Sequence, residues 1–206
     1  MATERIIRGS IQSEHFLTLF DAVSTRAVMV AEFVMQARAD GEPVLVVATR
    51  PHWDAIVLAA AERGVDLNRA VREETVIQRD AEALLRLFSR AGLPDAALFD
   101  RHVGGLVRQL RGTGRLSAYG EMVDLLAART EFDAALLLEN LWNVLAERET
   151  LRLMCGYESA HFVPHGAAAR LRAVCESHCR TQMHPDDSLG QWLLAEARVP
   201  FEAVPA

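Results

Sequence analysis

The chain has 206 residues, half of them hydrophobic and 24% charged, with a net charge of −6. That suits one globular core and argues against broad binding to nucleic acid or an anionic membrane. All 22 basic residues are arginine, which excludes a Schiff-base lysine, a phosphate-loop lysine or a lysine general base among them. There is no apolar run of about 18 residues, the opening MATERIIRGSIQSEHF has no apolar signal core, and the thiols Cys155, Cys175 and Cys179 are odd in number and few. A cytoplasmic protein with reduced cysteines is therefore expected.

Residues 1–12 read as a polar, mobile lead-in, and 13–206 as one domain. His15–Phe20 (HFLTLF) predicts a first strand, followed by a helix to about Ala39 that carries Ala27, Val30, Ala31 and Val34 inward and is broken by Asp40-Gly41. Pro43–Thr49 (PVLVVAT) is a continuous, largely β-branched apolar run, the pattern of a strand covered on both faces. Arg50–Trp53 reads as a turn, Asp54–Arg63 as a helix, Glu74–Gln78 as a short strand, and Asp80 as the cap of a helix to Arg90. Asp95–Leu110 reads as helical.

Leu116–Tyr119 is the next buried-type strand, and Glu121 opens a helix with Met122, Leu125 and Leu126 on one face. A further helix aligns Ala134, Leu137, Leu138, Leu141, Trp142 and Leu145. Thr150–Gly156 predicts a strand, His165 to Arg180 a helix, and 189–197 a short helix before an extended end. Strands alternating with helices imply an α/β domain, with a mainly parallel sheet flanked by helices.

Gly41–Val47 (GEPVLVV) begins as the nucleotide-binding strand of a RecA-like ATPase often does. It then runs into Ala48-Thr49-Arg50-Pro51-His52-Trp53 with neither the glycines nor the lysine that cradle a phosphate. ATP binding and hydrolysis are therefore not expected. Arg50 is either an anion-binding residue at the helix start or a solvated turn residue. Glu121, just past a strand and at a helix N-terminus, is either a ligand-contacting or switch residue or a first-turn cap. Its replacement by glutamine is expected to alter stability by less than about 1 kcal/mol.

Glu139, Asn140 and Asn143 flank an apolar stripe and read as a solvated face. Cys175, His178 and Cys179 fall at i, i+3 and i+4, which one helical face would gather, with Cys155 at a strand end nearby. The alternatives there are a metal or thiol-redox site and a merely buried helical face. The spacing fits no established zinc pattern, so no cofactor or stoichiometric metal is expected. The run Arg101, Arg108, Arg111, Arg115 reads as a solvated face or an acidic partner's contact.

GEPVLVVAT (41–49), YGEMVDLL (119–126), LENLWN (138–143), LMCGYE (153–158) with Phe162, and Cys175 with His178, in that order, resemble the MEDS domain, a sensory family of methanogens and methylotrophs. His15 matches the histidine that opens the family pattern. The resemblance implies a RecA-like domain without a phosphate loop, acting as a non-enzymatic sensory module of repressors and histidine kinases. The expected partner is a small ligand or a signalling protein such as a histidine kinase or regulator; homo-oligomerisation stays open. The ligand or switch candidates are Glu121, Tyr119, Arg50, His52, Trp53, Tyr157 and His15, gathered where the turns after Thr49, Tyr119 and Gly156 would meet. The metal or redox candidates are Cys155, Cys175 and His178.

Overall fold

The computed structural model describes residues 13–163 and 167–204; the lead-in and the expected helix start at His165 lie outside them. The chain runs β1 (Glu14–Phe20), α1 (Val23–Ala39), β2 (Val44–Ala48), α2 (Arg50–Glu62), α3 (Leu67–Arg72), β3 (Val76–Asp80) and α4 (Ala81–Phe88). A small hairpin of β4 (Ser89–Arg90) and β5 (Leu93–Pro94) leads to α5 (Ala96–Phe99), which passes through a π-helical segment into α6 (Gly105–Arg111). Then come β6 (Leu116–Gly120), α7 (Met122–Ala128), α8 (Phe132–Glu149), β7 (Leu151–Glu158), α9 (Ala167–Glu176), β8 (Arg180–Met183), α10 (Ser188–Ala197) and β9 (Glu202–Ala203).

Among the described residues seven strands form one parallel sheet in the order β3-β2-β6-β7-β1-β8-β9. The apolar runs at β2, β6 and β7 lie side by side in it, as expected of strands buried on both faces. Alternate side chains serve two cores. Phe16, Phe20, Val44, Val46, Tyr119 and Met154 pack under α1, α2 and α3. Leu17, Leu19, Leu45, Val47, Leu153, Cys155 and Tyr157 pack under the later helices, with Trp142 of α8 at their centre.

Four expectations change. Arg50–Trp53 is the first turn of α2, because Pro51 sits where its fixed φ and missing N–H suit a helix start. β7 runs on through Tyr157, so the expected Gly156-Tyr157 turn is strand. The helix expected to reach Arg180 ends at Glu176, and residues 180–183 form β8. Leu137, expected on the buried stripe of α8, is 37% exposed.

Candidate functional site

In a parallel sheet every strand ends on the same edge, and this is where β2, β6 and β7 deliver polar groups. Glu121 follows β6 directly and is 1% exposed. Its Oε1 accepts the Thr49 backbone N–H at the end of β2. Its Oε2 accepts from Arg26 Nη1 at 3.2 Å, His52 Nδ1 at 2.9 Å and the Tyr119 hydroxyl at 3.2 Å. Arg26, buried on α1, turns its other nitrogen to Asp124 Oδ2 at 2.8 Å. Asp124 Oδ1 accepts the Glu158 N–H at 2.8 Å, at the end of β7, and lies 3.1 Å from His161 Nε2.

Gly156 allows this arrangement. A Cβ there would lie 2.8 Å from the Tyr119 hydroxyl and 2.9 Å from Phe20 Cε2. The bare backbone lets Tyr119 lie across β7 and reach Glu121.

One arginine faces two carboxylates here, and all three side chains are buried. Burial works to raise the Glu121 carboxyl, but the His52 hydrogen bond and the Arg26 charge outweigh it and hold the pKa below the usual value. Asp124 is lowered likewise: burial opposes, while His161 and Arg26 prevail. The Asp124 hydrogen bond raises His161. The carboxylate of Glu121 thus occupies the N-terminal end of α2, where a backbone N–H and the helix dipole favour an anion.

A second cluster lies on the opposite face of the sheet. Glu139 of α8 is fully buried, contrary to its reading as solvated, because it falls between Ala135, Leu138 and Trp142 on the side of α8 facing the sheet. Its Oε1 accepts the Tyr157 hydroxyl at 2.8 Å. Its Oε2 lies 3.3 Å from His15 Nε2, 3.4 Å from His178 Nε2 and 3.5 Å from Cys155 Sγ. His15 Nε2 is also 3.2 Å from Cys155 Sγ. Burial, then Glu139, pushes the Cys155 thiol well above its usual range.

The expected residues therefore divide. Glu121, Tyr119 and His52 meet at the strand ends. Arg50 does not join them: it is exposed and pairs with Asp54 at 2.9 Å. Trp53 is core, packed on the α1 side. Tyr157 and His15 point to the other face and join Cys155 and His178 there, since β-strand side chains alternate. Cys175 is absent from that group: its helix ends before His178, so the expected shared helical face does not form. Arg26, Asp124 and His161 were not anticipated. The i, i+3 spacing of Glu121 and Asp124 was the available sign. In the arginine run, Arg108 pairs with Asp100, Arg111 with Glu149 and Arg115 with Glu42.

The family model described as MEthanogen/methylotroph, DcmR Sensory domain (MEDS) matches residues 14–178, most of the chain. The chain belongs to the MEDS family. No curated protein matches this MEDS domain. The matched span contains both polar clusters of the MEDS domain entire, from His15 to His178. Among the described residues no helix is long and apolar enough to cross a membrane.

Proposed function

We propose that this MEDS domain is a non-enzymatic sensory module in which the Glu121–Arg26–Asp124 network is the element that a small ligand or a partner protein biases. The partner would be a signalling protein such as a histidine kinase or transcriptional regulator. The observation that carries this reading is the buried ionic network itself. It ties the ends of β2, β6 and β7 to α1 and α2 through three charged side chains. A new hydrogen bond to any one of them changes what the others must satisfy, so the network suits a switch between two arrangements.

Catalysis is not favoured. The junction of β2 with α2 has neither glycine nor lysine, and its anion position is already taken by Glu121. RecA-like ancestry with a lost phosphate loop is compatible with this arrangement. Hydrogen exchange of the purified chain, with and without a small-molecule extract of its native cells, tests the proposal. Altered protection is expected at residues 48–52, 119–124 and 158–161. Binding that leaves those segments unchanged would assign sensing to another surface.

A further inference from the structure

On the α8 face of the sheet, the hydrogen-bond network fixes which imidazole nitrogens carry lone pairs. His178 Nδ1 lies 2.7 Å from the Val174 carbonyl, which can only accept, so Nδ1 carries the proton. His15 Nδ1 lies 2.7 Å from Asn143 Oδ1, and the Asn143 amide nitrogen is committed to the Ser177 carbonyl at 2.9 Å. His15 Nδ1 therefore donates as well. In each neutral ring the Nε2 lone pair then faces inward.

Three acceptors, the two Nε2 atoms and Glu139 Oε2, converge in a fully buried space where, among the described residues, the Cys155 S–H is the one proton offered to them. Among the described residues His178 Nε2 has no partner in hydrogen-bond geometry, only the 3.4 Å approach of Glu139 Oε2. Such convergence of lone pairs is repulsive unless positive charge sits between them, either a second proton on one imidazole or a metal ion, and only the metal ion engages all four donors at once.

We propose that His15, Glu139, Cys155 and His178 bind a divalent transition-metal ion of the zinc type. The donor atoms all lie within 4.8 Å of one another. Tetrahedral zinc with nitrogen and oxygen bonds of about 2.0–2.1 Å places its donors about 3.3 Å apart, and slightly farther when one is sulfur. Four of the six donor separations, Glu139 to His15, His178 and Cys155 and His15 to Cys155, are 3.2–3.5 Å and lie near that edge length.

The charges close too. A divalent ion with one thiolate and one carboxylate is neutral, so burial costs little, and the Cys155 proton leaves on binding. Two imidazoles, a carboxylate and a thiolate suit zinc and exclude a calcium- or magnesium-type site. Three of the four ligands are also held from behind: His15 by Asn143, His178 by Val174, and Glu139 by the Tyr157 hydroxyl.

The order Cys155–His15–Asn143 also matches a thiol–imidazole–amide relay. Cys155 is 0% exposed, however, and no substrate would reach it. Four protein ligands leave no open position, so the ion is structural or thiolate-sensing rather than catalytic. It would clamp β1, α8, β7 and the turn before β8 together. This inference is independent of the Glu121 network, and either can fail without the other.

The test uses the whole chain, expressed with zinc and purified without chelator. Elemental analysis is expected to find about one zinc per chain. The chelator-stripped protein should take up Co²⁺ with the strong visible absorption of a tetrahedral site and a near-ultraviolet thiolate-to-metal band. Cys155→Ala should abolish that band and Cys175→Ala should keep it. Should Cys155→Ala not fold, Asn143→Ala, which loosens His15 and frees the Ser177 carbonyl beside His178 while leaving all four ligands in place, should lower zinc affinity about 10–100-fold in chelator competition. Wild-type protein holding under about a tenth of an equivalent of metal and showing no Co²⁺ spectrum would overturn the proposal. So would a band that survives Cys155→Ala but is lost in Cys175→Ala.

Discussion

The network around Glu121 implies a larger loss for Glu121→Gln than the sequence alone suggests. All four partners of the carboxylate are donors: the Thr49 N–H, Arg26, His52 and the Tyr119 hydroxyl. A glutamine can accept at one terminal atom only. If that oxygen keeps Thr49, the amide nitrogen faces Arg26, His52 and Tyr119. Tyr119 can rotate its hydrogen and His52 can change tautomer, but Arg26 can do neither. One charge-assisted hydrogen bond, worth about 1.5–3 kcal/mol, is lost. Arg26 keeps Asp124 at 2.8 Å, so the loss stays below the 3–5 kcal/mol of a wholly orphaned buried charge.

The expected destabilisation at pH 7 is about 2–3 kcal/mol, read from urea unfolding followed by circular dichroism. The pH dependence supplies a second check. The folded pKa of Glu121 is lowered, so its contribution is full above the unfolded value of about 4.3 and disappears as pH falls through the folded value. The gap between wild type and variant should therefore shrink in acid. A loss under about 0.5 kcal/mol at pH 7, or a gap that is constant down to acid pH, would refute the assignment of Glu121 as a buried, ionised partner of Arg26.

Arg26→Met should cost about 3–5 kcal/mol in the same assay, since it leaves two buried carboxylates facing each other; a loss under about 1 kcal/mol would mean that the histidines alone neutralise them. Gly156→Ala should cost about 1–3 kcal/mol and change the near-ultraviolet dichroism of Tyr119, because the new methyl meets its hydroxyl and Phe20. An unchanged spectrum would place Tyr119 elsewhere. His161→Gln should destabilise more at pH 5.5 than at pH 9, because Asp124 raises the His161 pKa: that contribution is full below the unfolded value of about 6.5 and lost as pH rises through the folded one. Equal losses at both pH values would dismiss that pair. Calorimetry with magnesium-ATP should show no binding; a micromolar affinity would return the strand-end site to nucleotide chemistry.

The parts of the fold visible in the sequence were those encoded by uninterrupted local patterns. HFLTLF, PVLVVAT and LRLMCG are apolar over enough residues to be strands on their own evidence. A strand followed by Gly120 and a helix also located Glu121 at the sheet edge. What stayed hidden depends on which face a residue takes in three dimensions. Glu139 looked like one of three polar neighbours on α8, yet it is i+4 from Ala135 and i−3 from Trp142, both buried. Only the packing of α8 against the sheet makes the glutamate part of the core. The sequence places Tyr157 in a turn after Gly156, but β7 continues for two more residues and carries its ring to the opposite side. The Cys175–His178 pairing assumed a helix that instead stops at Glu176, where the chain turns back to enter β8.

The sheet order also bears on how the chain is made. The first strand of the described residues, β1, pairs with β7 and β8, neither of which begins before residue 151. During synthesis His15–Phe20 thus waits for most of the chain with both edges unsatisfied, an apolar template open to the wrong partner. Parallel pairings across such separations are slow to form. Truncations that stop before Leu151 should therefore aggregate rather than yield a smaller folded unit. An expression library cut from the C-terminal side should show solubility collapsing well before the helices run out.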